Sequence, residues 1–147
     1  MKKITVILLA LVVVMGISGS AGAVETNSIT GLVGPNYFGG SAVVDINQDL
    51  QNIVIGGAMA KVETLESAIG ERENTFEFFA GKHWDKVRIG EGGGITDKIN
   101  YEVGAGFNNS AGILFFGNTT YEIDEQLSVG VHTTSKTGLA FSVNYKL

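Results

Sequence analysis

Apolar and polar side chains alternate without a break along the last nine residues of the chain, LAFSVNYKL. Leu139, Phe141, Val143, Tyr145 and Leu147 take the odd positions, and small or polar residues take the even ones. Because neighbouring side chains of a β-strand point to opposite faces, this segment predicts a strand with one apolar and one polar face. Such a strand needs a different environment on each side, which narrows the choice of folds sharply.

The same alternation recurs upstream. In residues 99–107, INYEVGAGF, the apolar residues share one face and the polar residues and glycines share the other. Residues 127–132, LSVGVH, repeat the pattern. In residues 112–123, however, Leu114 and Phe116 share a face with Asn118, so the facing of that strand stays open. Five further strand-like runs cover residues 29–34, 41–47, 52–61, 75–83 and 87–95.

The links between these runs are short and rich in turn-forming residues. They cover residues 47–50, 96–98, 108–110, 124–126 and 135–138. Links of this length connect antiparallel neighbours, because a parallel pair needs a long crossover. We therefore predict an all-β, antiparallel up-and-down meander. Residues 61–73 are the exception: Val62, Leu65 and Ile69 have near-helical spacing, and we favour a solvated loop over a helical stub.

The first 23 residues have the layout of a secretory signal peptide. Lys2 and Lys3 precede an apolar run from Ile4 to Ile17, and small residues follow up to Ala23. The run is shorter than the roughly 20 residues that a membrane-spanning helix needs. We expect cleavage after Ala23, so that residues 24–147 form one domain.

Composition excludes several classes of protein. The chain has no cysteine, so neither a disulfide scaffold nor a thiolate metal site can form. Beyond residue 23 there are 8 basic and 15 acidic residues, which argues against a nucleic-acid partner. Of the 21 glycines, 18 lie beyond residue 23, many inside the alternating runs. Glycine at such positions indicates close packing inside a narrow barrel.

Alternation alone is compatible with a soluble barrel, apolar face inward, and with a membrane barrel, apolar face outward. The polar faces here hold mainly glycine, serine and alanine, which suits the interior of a barrel of about eight strands. Runs of nine to twelve residues match the roughly 9 to 11 that a tilted strand needs to cross a bilayer. We therefore expect a small transmembrane β-barrel.

The closing strand resembles the C-terminal insertion signal of bacterial outer-membrane β-barrel proteins. In that family, apolar residues alternate back from the chain end and an aromatic residue lies third from last, as Tyr145 does here. The family usually ends in Phe or Trp, whereas this chain has Leu147. In size the chain is similar to the smallest members, the OmpX-like proteins and the OmpA membrane domain. The resemblance implies a bacterial outer-membrane location, contact with outer-membrane lipid and assembly by the barrel-insertion machinery.

Such a barrel needs an even number of strands, but the sequence offers nine runs. We predict eight, which requires that residues 29–34 are only a lead-in or that residues 75–83 belong to an external loop. We expect a monomeric, porin-like cell-envelope protein with a structural or surface-interaction role, no catalysis and no cofactor. A secreted soluble β-barrel that binds a small apolar ligand is the main alternative.

Charged residues on the polar faces predict a network inside the lumen, because buried charges must pair. Its candidate members are Arg88, Glu102, Glu122, His132 and Lys146.

A lipid A deacylase-like hydrolase is a second alternative. His132, Thr134 and Ser135 resemble the His and Ser of that family faintly, with Glu102 or Glu122 as orienting acid. In the family, His and Ser lie two residues apart on one face, whereas His132 and Ser135 are three apart. A polar lumen residue is the simpler role for His132. No spacing of histidines and carboxylates predicts a metal site.

Overall fold

The computed structural model describes residues 25–62, 73–85 and 98–147. These residues form eight antiparallel strands that close into a barrel in sequence order, with β1 paired to β8. The strands are β1 (Glu25–Gly34), β2 (Tyr37–Asp45), β3 (Ile53–Val62), β4 (Glu73–Trp84), β5 (Ile99–Asn108), β6 (Gly112–Glu122), β7 (Leu127–Thr134) and β8 (Gly138–Lys146). The predicted all-β meander of eight strands is confirmed. Within the described residues, no helix has the length and apolar character needed to cross a bilayer.

Some sequence predictions concern residues that the structure does not describe. The signal peptide, the run at residues 87–95 and most of the segment 61–73 lie outside the described residues.

The prediction that either residues 29–34 or residues 75–83 are not a barrel strand was wrong. Residues 29–34 belong to β1 and residues 75–83 belong to β4, and each strand pairs on both sides. In both strands, inward and outward side chains alternate. Thr30 and Leu32 point inward on β1, Thr75 and Glu77 point inward on β4, and all four are buried. The eight described strands include both of these runs, and the ninth predicted run, at residues 87–95, lies outside the described residues.

The two ends of the barrel differ. The proximal end comprises the start of β1, the end of β8 and the links 46–52 and 123–126, and the distal end comprises the links 35–36, 109–111 and 135–137. Asp124 fixes one proximal turn, since its Oδ1 accepts hydrogen bonds from the amides of Gln126 and Leu127, at 2.8 Å each. These bonds lower the pKa of the Asp124 carboxyl. Distally, Gly138 has a φ of 93°, a conformation that glycine adopts without strain.

The strand facing is inside-out relative to a soluble barrel. On β5, β7 and β8 the polar face points inward, as Glu102, Ser128 and Ser142 show by their burial. The facing of β6, open from sequence, is now defined: Leu114 and Asn118 are among its buried inward residues, and the alternate residues are mostly exposed. One side of β6 therefore holds both apolar and polar lumen residues.

Candidate functional site

The outer surface is largely apolar. Among the side chains that the structure describes, large apolar ones are exposed on six of the eight strands, β1 and β4 to β8. Phe141 is 71% exposed, and Phe78 and Ile113 are each 69% exposed. Soluble monomers rarely expose contiguous apolar patches of more than a few hundred Å². We call these exposed apolar side chains the outer belt; exposed apolar surface of this kind marks sites of contact with other proteins or with membranes.

The five residues of the candidate insertion signal all belong to this belt. They alternate along β8 and just beyond it, and all are exposed: Leu139, Phe141, Val143, Tyr145 and Leu147.

Strands β2 and β3 interrupt the belt. The register places Ala42 of β2 in the outward row, between Ile29 and Ile55. Ala42 and Val44 are nevertheless buried, at 1% and 4% exposure, and none of the large apolar side chains described on β2 and β3 is as exposed as those of the other strands. The exposed belt is thus continuous from β4 through β8 to β1.

Four rings fill the middle of the lumen. The centroids of Phe79 and Phe116 lie 4.7 Å apart, and the His132 ring lies 5.3 Å from Phe79 and 5.6 Å from Phe116. Tyr37 completes the group, with its hydroxyl 3.2 Å from His132 Nε2. A Cβ at Gly56 would overlap the Phe79 ring, so this glycine provides the space that the ring occupies. These rings form an apolar plug between two polar regions.

The distal polar region is centred on Glu77, which is 1% exposed. Its carboxylate accepts hydrogen bonds from Asn108 Nδ2 at 3.0 Å and from Thr137 Oγ1 at 3.2 Å. Asn108 also donates to Thr75 Oγ1 at 2.8 Å. Hydrogen bonds from neutral donors therefore offset much of the cost of burying this carboxylate.

The proximal polar region is centred on Glu102, which is 3% exposed. Its carboxylate contacts His83 Nδ1 at 3.0 Å and accepts a hydrogen bond from Asn118 Nδ2 at 2.9 Å. His83 Nε2 lies 2.8 Å from Asp85 Oδ1, so the imidazole bridges two carboxylates. Ser142 extends the network by donating to Asn118 Oδ1 at 2.7 Å.

A second ion pair lies nearby, between Lys146 Nζ and Glu122 Oε1 at 2.7 Å. The structure thus brings together Glu122 and Lys146 of the predicted lumen network. It places Glu102 and His132 inside the barrel with other partners, and Arg88 lies outside the described residues.

Asn144 connects the first and last strands from inside the lumen. Its Nδ2 donates to Ser28 Oγ at 3.1 Å and to Thr30 Oγ1 at 2.8 Å, and all three residues are buried. The backbone register across this pair runs from Ser28 to Val33. Asn144 therefore adds side-chain hydrogen bonds to the seam that closes the barrel.

A cavity of about 320 Å³ opens at the proximal end. Its charged lining residues among those described are Glu25, His83, Asp85 and Lys146, and Asn27 and Asn52 add amide groups. The proximal network around Glu102 lies behind His83.

The residues considered for hydrolysis have separate partners. His132 lies among the aromatic rings, whereas Ser135 is exposed in the distal turn and its Oγ accepts from the Phe115 amide at 3.0 Å. Thr134, the residue two positions from His132, pairs with Thr137. The imidazole that does contact carboxylates is His83, not His132.

Sequence reasoning missed His83 and Glu77 as lumen residues. The signal that could have found them is the alternation of β4, in which Thr75, Glu77, Phe79 and His83 share one face. Because residues 75–83 were treated as a candidate external loop, this face was not assigned to the lumen.

No group of three metal-ligating side chains occurs in the part of the chain that the structure describes. Comparison with protein-family models, with curated proteins and with solved structures gives no match for this chain.

Proposed function

We propose that this protein is an integral β-barrel of the bacterial outer membrane, with a structural or surface-interaction role and a closed lumen. The observation that carries the proposal is the inverted distribution of side chains. Among the described residues, sixteen polar or charged residues are buried against twelve apolar ones, while large apolar side chains form the outer belt. A soluble barrel has the opposite arrangement, whereas a membrane barrel turns its apolar face to lipid.

The strand lengths support the same proposal. The described strands contain 8 to 12 residues. A tilted strand needs roughly 9 to 11 residues to cross the hydrocarbon layer. The closed order of strands also leaves no unpaired edge, which a bilayer does not tolerate. The secretory-type sequence of residues 1–23 supports export.

The filled lumen supports a structural rather than a transport role. Leu32 and Leu114 are 0% exposed and lie in one buried apolar cluster with Phe79 and Phe116. An eight-stranded barrel has an interior just wide enough for its own side chains. In planar bilayers we expect no stable conductance from the purified protein. A variant with both Phe79→Ala and Phe116→Ala should conduct, and steady ohmic current from the unmodified protein would refute the closed lumen.

Cell fractionation tests the membrane assignment. We expect the protein to sediment with outer membranes, to resist extraction by carbonate and to dissolve in detergent. Unheated samples should migrate differently from boiled samples on a denaturing gel, because closed barrels resist unfolding by detergent at room temperature. Recovery in the soluble periplasmic or secreted fraction would favour the soluble barrel with a small apolar ligand instead.

A further inference from the structure

We propose that a band of amphipathic aromatic side chains near the proximal end anchors the barrel at one membrane interface, and that the distal end has no such anchor. The partner of this surface is the ester and headgroup layer of a phospholipid bilayer. This inference rests on the proposed membrane location and deepens it, because it states which end of the barrel sets the depth of the protein in the bilayer.

The outward tyrosine and tryptophan side chains all lie near the proximal end. The chain has four tyrosines and one tryptophan. Tyr37 lies in the lumen, with its hydroxyl near His132. The other four side chains are exposed on β4, β5, β6 and β8, and we call them the proximal girdle: Trp84, Tyr101, Tyr121 and Tyr145. The distal half of the barrel therefore has no outward tyrosine or tryptophan.

The strand register places the proximal girdle at one height. A path from strand to strand through paired residues leaves β4 at Trp84 and returns to β4 at Phe76, eight residues nearer the distal end. The paired residues along this path are, in order, Tyr101, Thr119, Val131, Phe141, Val33, Phe38 and Met59.

The drift of this path is one residue per strand, because the barrel has eight strands. Residues at equal height are therefore found by moving one residue toward the proximal end for each strand crossed. By this rule Tyr121 and Tyr145 have the height of Trp84. Tyr101 differs from them by one residue, which is roughly 3 Å. Four side chains on four strands thus form one level band.

The distal half of the same four strands presents apolar side chains without any polar atom. The exposed ones are Phe76, Phe78, Phe107, Ile113, Phe115 and Leu139. By the same register they lie six to eight residues above the proximal girdle, which is roughly 15–20 Å at the rise and tilt of barrel strands. Outer-membrane barrels typically have aromatic girdles at both interfaces. The one-sided arrangement is therefore a property of this chain.

The two kinds of side chain respond differently to a membrane interface. A tyrosine hydroxyl and an indole N–H need hydrogen-bond partners, whereas the rest of each ring is apolar, so both side chains are most stable where hydrocarbon meets the polar headgroups. Phenylalanine, isoleucine and leucine have no polar atom to place at that boundary. When a bilayer is thicker than the barrel, the proximal girdle therefore keeps its position and the distal end sinks into the membrane.

Nitroxide labels at the two ends measure where a change of bilayer thickness is taken up. The chain has no cysteine, so Ser110→Cys in a distal link and Glu125→Cys in a proximal link each give a single labelling site. Each labelled protein is folded into vesicles of dimyristoleoyl- or dierucoyl-phosphatidylcholine, which form thin and thick bilayers. Collisions of the nitroxide with oxygen and with a nickel chelate report its depth. In the thick bilayer, we expect the distal label to move into the membrane and the proximal label to keep its depth.

Two variants change the anchors while the outer belt stays apolar. Phe107→Tyr combined with Phe115→Tyr adds hydroxyls at the distal end, and it should reduce the shift of the distal label. A fourfold variant keeps the aromatic rings of the proximal girdle but removes their polar groups, and both labels should then shift by similar amounts: Trp84→Phe, Tyr101→Phe, Tyr121→Phe and Tyr145→Phe.

Two controls separate this inference from the membrane assignment. Heat-modifiable migration verifies that each variant is folded, and flotation with the vesicles verifies insertion. Equal shifts of the two labels in the barrel with an intact girdle, or a proximal label that keeps its depth in the fourfold variant, would overturn the inference and leave the membrane location standing. Folded protein that does not float with the vesicles would overturn both.

Discussion

Replacement of Phe141 by arginine probes the environment of the outer belt. Phe141 is 71% exposed on the outer face and lies one residue from the middle of β8. In a bilayer, this position is near the midplane of the hydrocarbon layer. Arginine on the lipid face at that depth costs about 2–4 kcal/mol, and the cost falls to about 0–1 kcal/mol near the interface.

The expected loss is large enough to measure. A change of about 2–4 kcal/mol lowers the folding equilibrium constant by about 30-fold to 700-fold. At an m-value of about 2 kcal/mol per molar urea, the unfolding midpoint falls by about 1–2 M. Trp84 is the single tryptophan of the chain and lies exposed at the end of β4, so its fluorescence reports folding into phospholipid vesicles.

Thr133→Arg is the matched control. Thr133 is also exposed on the outer face, but it is the penultimate residue of β7, close to the distal end. We expect its urea midpoint to change by less than about half of the change in Phe141→Arg, because interfacial arginine reaches water. If both variants unfold at the same urea concentration as the unmodified protein, the belt does not face hydrocarbon and the reasoning fails.

Three further variants test the interior by urea unfolding in the same vesicles. Gly56→Ala should lower the free energy of unfolding by about 1–3 kcal/mol because the new Cβ overlaps Phe79. Its control, Gly31→Ala, has open space around its Cβ position and should leave the free energy of unfolding unchanged. Equal losses in the two variants would contradict the packing account. Asn144→Ala should lose about 1–2 kcal/mol through its two hydrogen bonds across the closing seam, and an unchanged midpoint would show that they do not hold it. Lys146→Met should lower the free energy of unfolding by about 1–3 kcal/mol because it removes the ion pair with Glu122, and adding Glu122→Leu should recover at least half of the loss; no recovery would argue against the pair.

The sequence predicted the architecture well because alternation has a period of two and most of the predicted links were short. The alternation divided the residues of β5, β7 and β8 between two faces, and the small residues of their polar faces indicated which face lines the lumen. The weakness lay in β6, where Leu114 and Phe116 share a face with Asn118. The lumen of this barrel is itself layered, with a central apolar plug between polar ends, so polarity along one strand does not define its inner face.

The lumen partners were less predictable than the lumen residues. The sequence analysis expected four of the described charged or polar residues inside the lumen: Glu102, Glu122, His132 and Lys146. Which of these groups contact each other depends on the register of the paired strands and on the lengths of the side chains. Glu102 contacts His83 because residues 83 and 102 are direct partners between β4 and β5. The sequence analysis could not predict this register, because it treated residues 75–83 as a possible external loop. A short hairpin turn fixes the register of the strands that it joins, but a long link such as the one between β4 and β5 does not.

The dependence of the native state on amphiphile tests the central claim most directly. Residues 24–147 are refolded with and without detergent micelles, and sedimentation is followed together with the Trp84 emission maximum. The account predicts a folded monomer only when micelles are present, and aggregation after their removal, because the belt around Phe78, Ile113 and Phe141 then meets water. A folded monomer that persists in buffer without detergent would contradict it.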